Sequence, residues 1–431
     1  MSLADESSLL FIPTGYRESK IYSVFPTTGV GDFTFNRNSS ATRIAKNGLI
    51  TSVSTDIPRL EYPLIDGVVN GCPSFLLEGE ATNEWLYSED FSNAGWTKTN
   101  VTITSNQVIS PDGTLNASKI TDDATSGEHR IRGNTVFISS VANFSIFAKA
   151  AEYSTFAIAN LSDLFITKFD LSNGTIISTG SGWSDAKIED YGNGWYKLSV
   201  KISANKTCGY GLLNDNGDFV FSGDGTKGVY IWGAQFEQGS FPTSYIKSNS
   251  GSTTTRAAET ANGAGDATTF NDSEGVLMVE VSALANIGSF ENISLSNGSS
   301  ASRLIIFYRN TLNVIEFRVT VNNVIQMQLQ YTIEDAKSFN KMLIKYKQND
   351  FSVWINGFEL HTDNSGITFG SYPLTNLSFD NGQVSAPSSP FYGKTKQIQY
   401  YNSALTDLEL EEISSWTSFT DLANGQQYSI K

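Results

Sequence analysis

The stretch NDNGDFVFSGDG sets Asp215, Asp218 and Asp224 close together among glycines whose carbonyls could add further oxygen donors. Hard oxygen ligands of that kind suit Ca2+, the one cofactor this sequence raises. The spacing is not that of an EF-hand loop, and a polar hairpin loop is the competing reading. GDGTKG, Gly223 to Gly228, satisfies GxGxxG letter by letter. A dinucleotide loop must open a helix whose N-terminus holds the pyrophosphate, whereas this one enters the strand-like VYIWG, so nucleotide binding is rejected.

Glycoside hydrolysis needs two carboxylates on one strand face, one to protonate the leaving oxygen and one to attack or activate water. No Glu-x-Asp-x-Glu alternation is present. Glu78 and Glu80 alternate in LLEGEATNEW, but Gly79 between them suggests a structural turn. Glu409, Glu411 and Glu412 cluster in LELEEI, where a solvated helix face is the simpler reading. The only histidines are His129 and His361, and neither stands beside a nucleophile-elbow pattern. His129 is expected to face solvent and His361 to end a strand. No enzyme is expected.

Binding is the remaining chemistry. A sugar's C–H face stacks on a flat ring while nearby polar groups fix its hydroxyls. Strand parity selects Trp354, opposite Phe351, Val353 and Ile355 in FSVWING, and Trp195, opposite Tyr196, Leu198, Val200 and Ile202 in WYKLSVKI. Trp183, read as lying in the loop GSGWSD, is the third candidate. Against each stands a role in covering a sandwich edge or an interface between subunits.

The elements that would carry these residues are strands. In VIEFRVTV, Ile315, Phe317, Val319 and Val321 take one face and Glu316, Arg318 and Thr320 the other. VIQMQLQ repeats the pattern with Ile325, Met327 and Leu329 inward, and Asn356-Gly357 is a strong hairpin signal. One helix is predicted in LTDLELEEISSW, with Thr406 and Glu409 as a capping box and an apolar stripe of Leu405, Leu408, Ile413 and Trp416.

Composition agrees. The 431 residues are 39% hydrophobic and only 17% charged, so Ser, Thr, Asn and Gly must supply much of the polar surface. An all-β chain of about two or three domains follows. A net charge of −15 without any basic run repels phosphate backbones and anionic lipid, so neither nucleic acid nor membrane is an expected partner. Cys72 and Cys208 are read as small buried hydrophobes. The N-terminus carries acidic residues where a signal peptide needs basic ones, and Leu9 to Ile12 is too short an apolar run for export or spanning.

The run WGAQFEQGSFPTSYIKSNSGSTTTRAAE resembles the closing signature of the carbohydrate-binding-like jelly rolls of tailed-bacteriophage structural and fibre proteins. Upstream, the Arg-containing, Pro-Arg-Leu and Leu-Leu-Glu strands between Phe33 and Trp96 are similar to the leader of those jelly rolls. Downstream, NDFSVWINGFEL and QIQYYNSALTDLELEEI look like late strands and the terminal helix of a concanavalin A-like or laminin G-like sandwich.

The resemblance implies residues 1–85 as an attachment and leader segment, 86–248 as a jelly roll, 249–265 as a linker and 266–431 as a second antiparallel sandwich. It also implies a homotrimeric tail or head fibre of the virion, with other tail or capsid proteins and a host-surface polysaccharide as partners. A connector packing only on other virion subunits is the second reading, and a polysaccharide depolymerase the third.

Overall fold

The computed structural model describes residues 3–133, 141–161, 165–202, 207–286 and 289–416. Among them the chain is antiparallel β almost throughout, in two sandwiches. In the first, one six-stranded sheet runs in the order Val101–Ile109, Leu115–Asp122, Gly228–Gln238, Ala142–Ala150, Trp195–Ile202, Trp183–Asp190. Its partner sheet runs Thr97–Thr99, Arg130–Arg132, Cys208–Leu212, Thr155–Asn160, Phe165–Asp170, Thr175–Ser178. Between them lies an aromatic core in which Phe144 stacks on Phe236 at 4.2 Å and Trp85 sits 5.3 Å from Trp96. Such ring pairs contribute about 0.5–1.5 kcal/mol beyond their buried area. Cys208 is buried in this core, whereas Cys72 is exposed, contrary to expectation.

The second sandwich opposes a five-stranded sheet, Val324–Thr332, Val314–Val321, Arg303–Tyr308, Glu291–Ser296 and Asn376–Ser378, to an eight-stranded one. Ile315, Phe317, Val319 and Val321 are all buried, as their alternation requires. In Val324–Thr332 only Met327 is fully buried. Ile325 is exposed and Leu329 half-buried, because this is an edge strand with little to cover it. The Asn356-Gly357 turn has φ of 50° and 86°, the doubly left-handed geometry that lets Phe351–Ile355 pair with Phe358–Asp363.

The eight-stranded sheet is assembled from both ends of the chain. Glu274–Ala283, Asn340–Lys347, Phe351–Ile355, Phe358–Asp363 and Gly393–Tyr401 come from the C-terminal half. Leu9–Phe11, Arg59–Glu61 and Ser74–Leu77 come from the leader. Leu9 to Phe11 pair with Tyr400 to Ile398, and Phe75 pairs with Thr395. Phe11, Phe33 and Phe75 gather around Phe379, with centroids 5.1–6.5 Å apart. The N-terminal segment is therefore not a unit apart from the second sandwich; it completes that sandwich's sheet and core.

Glu291, opposite Tyr308 in this sandwich, is a buried acid. Burial pushes its carboxyl up to about 8, and the Tyr392 N–H and Ser289 hydroxyl, each at 3.4 Å, compensate little. An acid held this way keeps its proton more tightly folded than unfolded. Its contribution is complete below its unfolded value of about 4.3 and is lost as pH rises through the folded one. Thermal melts of the native chain are expected to move down between about pH 5 and pH 8, and Glu291→Gln, neutral throughout, to flatten that slope.

The terminal helix forms over Asp407–Ser414 with the Thr406/Glu409 capping box in place. Its buried face is Leu410 with Ile413, and Leu405, just before the cap, packs in the same cluster. Leu408, predicted inward, is 76% exposed, because the helix is short and rests on the sheet along one narrow line.

Candidate functional site

The three tryptophans expected to meet sugar are all buried. Trp354 does point away from the core, as parity requires, but that face is covered by the terminal helix, and its ring packs with Leu405 and Leu410. Trp195 likewise lies on the outer face of its sheet, among Phe147, Trp232, Tyr245 and Ile50, and donates from Nε1 to the Ile109 carbonyl at 3.0 Å. Trp183 opens a strand rather than sitting in a loop. It packs edge-on to Phe144 in the core and donates to the Phe165 carbonyl at 3.1 Å. No ring face is left for stacking on any of the three.

The aspartates of the calcium reading do not converge. Asp215 pairs with Lys227 at 2.7 Å, and Asp218 accepts from the Asn214 amide at 3.1 Å. Asp224 accepts from the Thr226 hydroxyl and backbone N–H, which hold its carboxyl below the usual range. Among the described residues no group of three or more His, Cys, Asp or Glu is placed to hold a metal. The glycine-rich GDGTKG loop does cradle an anion, but a protein one: buried Asp122 accepts from the backbone N–H groups of Asp224, Gly225 and Lys227 and from the Tyr153 hydroxyl at 3.0 Å. His129 is buried rather than solvent-facing. Its Nδ1 lies 2.6 Å from the Asn100 carbonyl and its Nε2 3.2 Å from that of Phe221.

Glu80 is exposed, whereas Glu78 belongs to a buried charge cluster. Glu259, fully buried, accepts from Arg37 Nη1 at 2.7 Å, from Arg59 Nε at 2.8 Å and through Nη2, and from the Glu78 backbone N–H at 2.8 Å. The Glu78 carboxylate in turn takes Arg59 at 2.8 Å, Arg256 at 2.9 Å and the Ser244 hydroxyl at 2.6 Å. Burial alone would raise the Glu78 carboxyl, but Arg256 and Arg59 outweigh it and hold the group far below the carboxylate range. These residues come from the leader, the clasp FPTSYI and the linker, so the cluster ties both sandwiches together. Sequence reasoning passed over it because Arg and Glu are ordinarily surface residues. The available signal was their placement inside apolar contexts, in PRLEY, FLLEGE and TTRAAE.

Beside the cluster a cleft of 410 Å3 opens between the sandwiches. Lys187, Tyr191 and Phe241 face it from the first, and Glu61, Lys337 and Lys394 from the leader and the second. Burial pushes the Glu61 carboxyl up, with Lys394 and the Ile44 N–H, at 2.8 Å, offsetting part of that. Burial beside Glu189 raises the Tyr191 phenol well above its ordinary value. Aromatic rings, ammonium groups and carboxylates in one groove can hold a polyhydroxylated chain. Glu61 and Glu78 share the cleft, but Glu78 is locked between two guanidinium groups, which leaves it no proton to give and no freedom to attack.

No family model matches this sequence, and no curated protein matches it. Solved structures with similarity include the CBM40 domain of the Ruminococcus gnavus IT-sialidase bound to α2,3-sialyllactose, at a TM-score of 0.31 and 16% identity over 36% of this chain and 88% of that one. The leech intramolecular trans-sialidase has a TM-score of 0.29 and 19% identity over 35% of this chain and 24% of that one. Domain 4 of AbnA, a GH43 extracellular arabinanase from Geobacillus stearothermophilus, in complex with arabinotriose, has 0.28 and 12% over 37% and 73%. Each of these likenesses extends over little more than a third of this chain.

Proposed function

We propose that this protein is a glycan-binding, non-catalytic structural protein: a virion fibre whose paired sandwiches meet a host-surface polysaccharide. The observation that carries the reading is the cleft between the sandwiches, with Tyr191 and Phe241 set among Lys187, Lys337 and Lys394. Its walls are fixed by a buried ion cluster rather than by a flexible linker, so the groove is formed before any ligand arrives, which lowers the ordering cost of binding. The phage assignment is supported by the resemblance of the clasp and linker segment and of the leader. A connector packed on other tail or capsid subunits is the second reading, favoured by the edge strand Thr175–Ser178, which exposes Ile176 and Ile177. Homotrimeric assembly would cover such an edge.

A glycan array with the full chain, followed by titration of the best polysaccharide, tests the reading. Lys187→Ala with Lys394→Ala is expected to weaken binding about tenfold or more, the scale of losing two charge-assisted hydrogen bonds. Absence of binding to any host polysaccharide favours the connector.

A further inference from the structure

The charges around the inter-sandwich cleft are not evenly matched. Lys187 and Lys197 reach it from the first sandwich and Lys337 and Lys394 from the second, and the acids beside them are Glu61, Glu78, Glu189 and Asp335. Four of each would leave the cleft neutral if every ammonium faced a carboxylate.

The acids, however, are engaged elsewhere or balanced locally. Glu78 is held by Arg59 and Arg256 at 2.8 and 2.9 Å, two guanidinium groups that do not line the cleft. Asp335 stands 4.0 Å from Lys337 and accepts that residue's backbone N–H at 3.1 Å. Glu189 is exposed and lies opposite Lys197 in the pairing of Trp183–Asp190 with Trp195–Ile202. Lys197 itself is buried, with Nζ donating to the Thr243 carbonyl at 3.0 Å. Glu61 is buried and accepts the Ile44 N–H, and burial pushes its carboxyl toward the neutral form.

Lys187 and Lys394 are left over. Neither makes a hydrogen bond or an ion pair with any described residue, and Lys394 acts on Glu61 only from beyond ion-pair distance. Both side chains are half-buried and line the cleft, and their nitrogens keep accessible surface. With 44 Asp and Glu to 29 Lys and Arg, this chain has carboxylates in excess, and Lys119, Lys201, Lys227 and Lys247 each take one. Other unpaired cations, such as Arg17 and Lys46, are exposed to solvent, and Arg43 lies over the Tyr16 ring. A half-buried ammonium without a carboxylate has lost part of its hydration and gained no partner, so an anion that reaches it makes a strong charge-assisted hydrogen bond. Here two such groups, one from each sandwich, face a single groove.

We propose that the glycan held in this cleft is a carboxylated polysaccharide, whose carboxylates are received by the ammonium groups of Lys187 on one wall and Lys394 on the other, while Tyr191 and Phe241 offer rings to its sugar faces. The proposal rests on the glycan-binding reading of the cleft and adds the charge class of the ligand. The net charge of −15 opposes a polyanion at a distance, whereas the two lysines attract it at contact. Salt screens both effects, so the variable that discriminates is the charge on the ligand itself.

The test is calorimetric titration of the full chain with polygalacturonate, alginate and hyaluronate, with the carboxyl-reduced form of each, in which –COO− becomes –CH2OH on the same backbone, and with dextran, mannan and galactan as neutral polymers. Saturable binding is expected for a carboxylated polymer and about tenfold or more weaker for its reduced form, the scale of a lost charge-assisted hydrogen bond. Lys187→Gln and Lys394→Gln should each weaken the carboxylated polymer about tenfold and leave the reduced form where it was, the coupling expected of groups in direct contact. The melting temperature of both variants should stay at the native value, since neither lysine has a partner to lose. Lys347→Gln removes the same charge at the far end of Asn340–Lys347 and should change nothing. A neutral or reduced polymer bound as tightly as the carboxylated one overturns the proposal and leaves the glycan-binding reading standing. Lysine variants that weaken the carboxylated and reduced forms equally overturn it too, because the lysines then do not meet the carboxylates. If no polymer of either charge binds, the glycan-binding reading fails and the proposal falls with it.

Discussion

Glu259→Ala is expected to cost the folded chain about 3–5 kcal/mol, the usual penalty for removing one partner of a buried ion pair. The residue has no exposed side-chain surface and receives two arginines, so its loss takes from Arg37 its one ion partner among the described residues and leaves Arg59 paired with Glu78. Neither guanidinium can reach water without opening the seam between leader and linker. Glu259→Gln keeps the shape and one acceptor and should fall between the two. Denaturant unfolding gives the magnitude. Limited proteolysis gives the location, since residues 249–258 of the 249–265 linker should become the first site cut in the alanine variant and stay protected in the native chain. Unchanged stability in both variants would mean that the cluster is not what joins the sandwiches.

A fragment beginning at residue 266 is expected not to fold. It lacks Leu9–Phe11, Arg59–Glu61 and Ser74–Leu77, three strands of the eight-stranded sheet, and with them the rings of Phe11, Phe33 and Phe75. Deleting one buried phenylalanine side chain costs about 3–5 kcal/mol, and domains are stable by only about 5–15 kcal/mol in all. Three such rings come to about 9–15 kcal/mol, as much as that whole margin. The exposed flank of Gly393–Tyr401 would also be an open edge inviting aggregation. Co-expression with residues 1–85 should restore solubility, and circular dichroism with size exclusion reads both outcomes. A soluble, cooperatively melting fragment would show that the leader strands are accessory.

Period-two alternation carried far in this chain because both sandwiches have one face on a core. Ile315 to Val321 and Leu198 to Ile202 could be assigned to faces from their pattern alone, and the hairpin at Asn356-Gly357 and the cap at Thr406 rest on chemistry within a few residues. Parity says which face a tryptophan takes and nothing of what covers that face. Trp195 and Trp354 point outward as expected, and chain distant in sequence, or a helix further on, buries them. The same distance hid the pairing of Leu9 with Tyr400, for which no local pattern exists. Arg37, Arg59 and Arg256 read as surface until their carboxylates are brought beside them.

The most direct test of the central claim, that two rigidly joined sandwiches bind a glycan in the cleft between them without cleaving it, is hydrogen exchange of the full chain with and without the polysaccharide selected on the array. Slowed exchange is expected in both walls at once, around residues 187–197 and 241–244 of the first sandwich and 335–338 of the second, with the polysaccharide recovered at its original length. Protection confined to one sandwich, or oligosaccharides released into solution, would contradict it.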